Sequence, residues 1–187
     1  MFIQTEQTPN PDAVKFLPGR DVSPGGPHDF TSVEEAARSP LAAALFEIDG
    51  VVGVFLGEDF IAVTRGGPLG WEQLRAPVLS AIMDHYLSGR PAVLGEGESL
   101  PEGPVYEGEA GQIVEEIRQL LDTRIRPAVA QDGGDVLFDH FDMETGVLTL
   151  KMRGACAGCP SSTATLKAGI ETMMKTYVPE ISSVEAA

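Results

Sequence analysis

In this 187-residue chain one pair of residues joins a soft ligand atom to close spacing: Cys156 and Cys159, in the stretch "RGACAGCPSS". They are the only cysteines present. Thiols at this spacing suit a redox dithiol, half of a zinc site or half of an iron-sulfur site. Structural zinc takes four ligands, and so do the common iron-sulfur clusters, so one chain offers half a set and a symmetric dimer supplies the rest. His28, His85 and His140 are scattered, none at zinc-ligand spacing from the cysteines, and read as core or solvated side chains. The carboxylates of "QDGGD" read as turn formers rather than as an acid and a base, and no enzyme active site is expected.

The flanking periodicity says what positions the two sulfurs. Before them, Leu148, Leu150 and Met152 alternate with Thr149, Lys151 and Arg153, as in a strand with one buried and one wet face. After them, Pro160 suits the first position of a helix whose core face is Leu166, Ile170, Met173, Met174 and Tyr177. The cysteines therefore belong on a strand-to-helix loop at a helix N-terminus. There, free N–H groups and the helix dipole favour thiolate, and Arg153 adds a nearby positive charge. Small residues Ala155, Ala157 and Gly158 keep the loop open, so exposed sulfurs are expected. A thioredoxin-like reading needs a βαβ unit, whereas two antiparallel strands, "DVLFDHF" and "GVLTLKMRG" joined by "METG", precede the motif. Farther back, Ile113, Val114, Ile117, Leu120, Leu121 and Ile125 predict a helix ending near Pro127. "QDGGDV" then predicts a turn in which Gly133 and Gly134 take positive φ. "ISSVEA" adds a last strand, and the order is helix, strand, strand, helix, strand.

Composition changes once along the chain, between Arg90 and Glu109, where Pro and Gly mix with five acids and no base from Glu96 to Glu109. Residues 91–108 read as a linker between two small α+β domains, 1–90 and 109–187. In the first, "MFIQTE" and "AVKFLPG" are strands around "TPNPD". A helical stripe from Val33 through Ala36, Ala37, Leu41, Ala44 and Leu45 is interrupted by Pro40. "VVGVFL" and "FIAVT" form a hairpin through "GED", and Trp71, Leu74, Val78, Ile82 and Tyr86 line a helix containing Pro77. A formal charge of -15 without any Lys and Arg cluster argues against nucleic acid as a partner. No stretch reaches the roughly 20 apolar residues of a membrane span. The start "MFIQTEQTPN" lacks the basic region and apolar run of a signal peptide. Two cysteines are no disulfide framework. The expectation is a soluble chain in a reducing compartment, the bacterial-type cytoplasm, or the mitochondrial matrix for a processed organellar chain.

"IRPAVAQDGGDV" followed by "GVLTLKMRGACAGCPSSTATLKAGIE" resembles the NifU-type C-terminal domain, and "MFIQTEQTPNPDAVKFLPG" resembles the N-terminal domain of Nfu proteins. Together they cover nearly the whole chain, in the domain order of Nfu iron-sulfur scaffold or carrier proteins. The resemblance implies that Cys156 and Cys159 of two subunits hold one 4Fe-4S cluster in a homodimer, with 2Fe-2S forms left open. It further implies an upstream cluster donor, client iron-sulfur apoproteins that receive the cluster, and an N-terminal domain that helps to recognise them. On the residues alone, a zinc-bridged structural dimer and a dithiol redox protein stay open.

Overall fold

Residues 2–95, 104, 106–157 and 160–187 are described by a computed structural model, 160–163 by backbone alone. The chain divides into two units of α+β construction, 1–98 and 99–187. In the first, strands β1 (Gln4–Gln7), β2 (Ala13–Leu17), β3 (His28–Phe30), β4 (Val51–Leu56) and β5 (Ile61–Arg65) make an antiparallel sheet in the order β1-β2-β5-β4-β3. The β1-β2 turn is set by Asn10, whose side-chain oxygen accepts from the Asp12 N–H at 2.9 Å and whose carbonyl accepts from the Ala13 N–H at 3.0 Å. Pro40 interrupts the helical stripe as expected, leaving α1 (Val33–Ala36) and α2 (Pro40–Phe46). Proline fits the first turn of α2 because no intrahelical partner awaits its N–H, and Ser39 caps that turn by accepting from the Ala42 N–H. Helix α3 (Trp71–Ser88) runs through Pro77 and stops at Gly89, whose φ of +67° suits glycine. Phe16, Phe30, Leu41, Leu45, Leu56, Ile61, Val78 and Ile82 are buried between sheet and helices, while Val33 stays exposed.

The second unit runs α4 (Gly108–Leu120), a π turn (Leu121–Ile125), α5 (Arg126–Gln131), β6 (Gly134–Asp142), β7 (Val147–Gly154), α6 (Pro160–Tyr177) and β8 (Ser183–Ala186). The helix predicted to end near Pro127 continues to Gln131, and the packing explains why. Ile117, Leu121, Ile125 and Val129 are all buried at steps of four. On an α-helix of 3.6 residues per turn such a stripe drifts by about 40° per step. The wider π turn takes up the drift, and its altered bonding pattern places Pro127 in the first turn of α5, where a missing N–H is tolerated.

Strand β7 is central: β6 pairs with it antiparallel and β8 parallel, with α6 as the crossover. A bulge between Phe138 and His140 interrupts the β6-β7 ladder. There the Tyr106 hydroxyl accepts from the Phe141 N–H at 2.8 Å and lies 2.9 Å from His140 Nδ1. Leu148, Leu150 and Met152 face the core, with Val136 and Phe141 from β6 and Ile170, Met174 and Val178 from the α6 end of the unit. Two residues assigned to the α6 core face lie off it: Met173 and Tyr177 are exposed, and the Arg124 guanidinium stacks over the Tyr177 ring at 5.0 Å. The buried stripe runs at steps of four, Ile170, Met174 and Val178, which leaves Met173 and Tyr177 beside it. Among the described residues no helix is long and apolar enough to cross a membrane.

Candidate metal centre

The cysteine loop leaves the end of the central strand and enters α6. Its first half is tied down by the backbone: the Ala155 N–H donates to the Gly133 carbonyl at 3.1 Å, and the Ala157 N–H to the Gly154 carbonyl at 3.0 Å. Gly154 turns the chain with φ +62°, and Gly133, at φ +81°, ends α5 by donating to the Ala130 carbonyl at 3.1 Å. Gly134, expected to share the positive φ, instead begins β6 as extended backbone paired with Gly154. Glycine is required there for a different reason. A Cβ on Gly134 would stand 2.5 Å from Cys156 Sγ and 2.7 Å from the Arg153 carbonyl oxygen, so the sulfur rests against a bare Cα.

Cys156 is 5% exposed and belongs to the apolar core of the unit. The exposed thiolate expected from the sequence is therefore corrected at this position. Burial first, then the carboxylates of Asp132 and Asp135, pushes the Cys156 thiol up to about 12. The loop dipole argument was local, whereas the sulfur turns inward and meets groups brought from the α5-β6 junction. Cys159, like Gly158, lies outside the described residues. Arg153 points from β7 with its Cα opposite Asp135 in register.

Sequence reasoning read Gly134 and the carboxylates of "QDGGD" only as parts of a turn and did not single out Arg126. Asp135 is 5% exposed, and Arg126 grips it with two bonds, Nε to Oδ1 at 2.8 Å and Nη2 to Oδ2 at 3.1 Å. The available signal was the spacing of an Arg and an Asp around a Gly-Gly turn, each opening an otherwise apolar element. The histidines are elsewhere. His28 is buried with Nδ1 2.9 Å from the Ser23 hydroxyl, His85 is buried on α3, and His140 meets Tyr106. Among the described residues no group of three or more His, Cys, Asp or Glu side chains is placed to hold a metal ion. The glycine-backed recess at Cys156 leaves the sulfur atom room that a methyl group would fill.

Residues 3–89 match the family described as scaffold protein Nfu/NifU N terminal, and residues 117–185 match the NifU-like domain. The chain is 46% identical over 185 residues to NifU-like protein 4, mitochondrial, of Arabidopsis thaliana, covering 99% of this chain and 65% of that protein. It is 47% identical over 186 residues to the NFU1 iron-sulfur cluster scaffold homolog, mitochondrial, of Homo sapiens, covering 99% of this chain and 71% of that one. It thus spans about two thirds of the length of these relatives. The solution structure of a NifU-like protein from Saccharomyces cerevisiae aligns with a TM-score of 0.47 at 21% identity, over 51% of this chain and 87% of that one.

Proposed function

The chain belongs to the NifU-like family that includes the NFU1 iron-sulfur cluster scaffold homologues, and from that membership we propose that it is an iron-sulfur cluster scaffold and carrier. Its cargo is one 4Fe-4S cluster, held between two copies of the chain by the Cys156 and Cys159 sulfurs of each. The observation that carries this reading is the seat of Cys156, at the end of a central strand on the loop into α6, with its sulfur against a bare glycine Cα. Two sulfurs per chain are half of the usual four, so the homodimer completes the set. Cys156 is protonated in the metal-free fold, and ligation supplies the positive charge that burial withholds, so loading releases protons.

Delivery is ligand exchange: a client thiolate displaces one scaffold thiolate at a time until the whole cluster, iron with its bridging sulfide, has moved, and each freed scaffold thiolate takes up a proton. No nucleophile or general base is needed, and the chain is read as a carrier rather than an enzyme. An upstream iron-sulfur protein loads it, client apoproteins unload it, and residues 1–90 recognise partners. The relatives above are named mitochondrial. Bacterial-type cytoplasm and organellar matrix both keep thiols reduced, which is what this chemistry requires.

The test is ligation. Cys156→Ser and Cys159→Ser should each abolish stable iron and sulfide binding after anaerobic reconstitution while the circular dichroism of the protein is unchanged. Wild-type iron and sulfide in both variants overturns the shared-cluster reading. Colourless protein purified with stoichiometric zinc would replace it with the zinc-bridged dimer.

A further inference from the structure

Helix α6 keeps its charges on one flank. Lys167, Glu171 and Lys175 follow one another at steps of four. Glu171 turns to the sheet, where its carboxylate accepts from the Val184 N–H of β8 at 3.1 Å and from the Lys175 ammonium at 2.6 Å. The outward face is built differently: Thr165, Ala168, Gly169, Thr172, Met173 and Thr176 are all exposed and none is charged. At 3.6 residues per turn they form one continuous stripe, on the side away from the buried line of Ile170, Met174 and Val178. Its threonines spend their hydroxyls inside the helix. Thr172 Oγ1 donates to the Ala168 carbonyl and Thr176 Oγ1 to the Thr172 carbonyl, both at 2.8 Å, which leaves their methyl groups for a neighbour. A Cβ placed on Gly169 meets nothing within 4 Å, so a second backbone can approach closely there. The other long helices do not look like this. The exposed residues of α4 include Glu109, Glu115 and Glu116, and those of α3 include Glu72, Arg75 and Asp84, as expected in a chain of formal charge -15.

We propose that this face seats the second copy of the chain: in the cluster-bridged homodimer, α6 packs against α6 across the two-fold axis. This rests on the shared-cluster reading above, which leaves the site incomplete without a partner. Helix α6 begins at Pro160, the residue after Cys159, so a second copy that brings its two sulfurs to the same cluster brings the first turn of its own α6 alongside. A two-fold axis then sets the same face of both helices against each other, and an uncharged, methyl-lined face tolerates its own image where an acidic one would repel it. One helix face per copy falls short of the roughly 800 Å² per partner of a stable interface. The contact therefore adds to the shared ligands and lets the chains part when the cluster leaves.

The experiment uses the full chain, reconstituted anaerobically with ferrous iron and sulfide, and follows the dissociation of the loaded dimer by sedimentation over a dilution series. Ala168→Glu and Thr172→Glu should each raise the concentration at which the dimer falls apart by about tenfold, because like charges then meet across the axis. Thr172→Val, which keeps the methyl group and loses only the internally bonded hydroxyl, should dimerise as wild type does. An equimolar mixture of Ala168→Glu and Ala168→Lys chains should return to within about threefold of wild type, since the mixed dimer pairs opposite charges. Met83→Glu adds the same charge at an exposed position of α3 and should change nothing. Thermal unfolding of the metal-free variants shows that each folds, and if one glutamate variant does not, the other carries the comparison. Glutamate variants that dissociate as wild type or Met83→Glu does, or a mixture that recovers nothing, overturn the proposal alone. Variants that dimerise as wild type does but deliver the cluster to an apo iron-sulfur protein more slowly also overturn it, and assign the face to the client. Wild-type chain that takes up no iron and sulfide, or that loads and stays a single chain, overturns the shared-cluster reading and the proposal with it.

Discussion

In the first unit the buried polar side chains close their own neighbourhoods. Ser39 caps α2 and donates to the Ala92 carbonyl, and Ser23 joins His28 Nδ1 and the Gly26 carbonyl within one turn. In the second unit the buried polar residues Asp135 and Arg153 and the buried thiol of Cys156 gather at one end of β7 and its ladder with β6. Both units bury polarity at a cost, which bonds meet at Ser39, Ser23 and His28 in the first and at Asp135 in the second. The first disperses that cost over turns and caps, which any sheet of this kind needs. The second concentrates charge where no turn or cap requires it, and such concentration is what a site for chemistry looks like.

The comparison breaks most sharply if damage to the first unit reaches the second. Phe16 is fully buried in the first core, and Phe16→Ala should cost that unit about 3–5 kcal/mol in a urea titration. Iron per chain after reconstitution should stay at the wild-type value. A matching loss of iron would mean that the two units do not divide the work. A smaller change in the second unit should do the opposite. Gly134→Ala forces a Cβ against Cys156 Sγ and the Arg153 carbonyl, and since the backbone oxygen cannot step aside cheaply it should cost about 1–3 kcal/mol. Iron binding should fall with it; full iron binding in a destabilised Gly134→Ala would show that the recess is not part of the site.

The smallest effect is a pH dependence confined to the first unit. Burial, and after it Arg90, holds His85 below its ordinary value of 6.5, and its Nε2 is buried without a hydrogen-bond partner among the described residues. The folded unit therefore binds the proton less readily than the unfolded chain. Its stability is full above about pH 6.5 and drains as pH falls through that value toward the lower folded one. The urea midpoint should drop between about pH 7.5 and 5.5, and His85→Asn should flatten the drop. Parallel curves for the variant and wild type would assign the pH dependence to other groups.

Local pattern made much of the fold legible. The alternation of Leu148, Leu150 and Met152 against Thr149 and Lys151 holds, but Arg153, expected on the same wet face, is buried, and Pro40 breaks its helix by fixing where a new first turn begins. What stayed hidden depends on contacts made at a distance. Strand β3 is three residues long and is a strand only because Phe30 and His28 pair with Val54 and Leu56. Pro127 read as a stop because the π turn that accommodates it answers to packing, not to the sequence around the proline. The pair of cysteines was legible from spacing alone. The protonation of Cys156 was not, because Asp132, Asp135 and Gly134 reach it only after α5 and β6 have folded back on β7.

The loop that carries Cys156 grows out of β7, the one strand of its sheet with a partner on each side. Backbone amides in such a strand open only when the whole unit opens, so those from Leu148 to Met152 should be among the last to take up deuterium from solvent. A thiol anchored there sits at the slow end of the molecule's range of motions. On the carrier role proposed above, loading and unloading run on the timescale of ligand exchange while the strand that moors the cargo stays closed, so repeated cycles leave no record in the sheet.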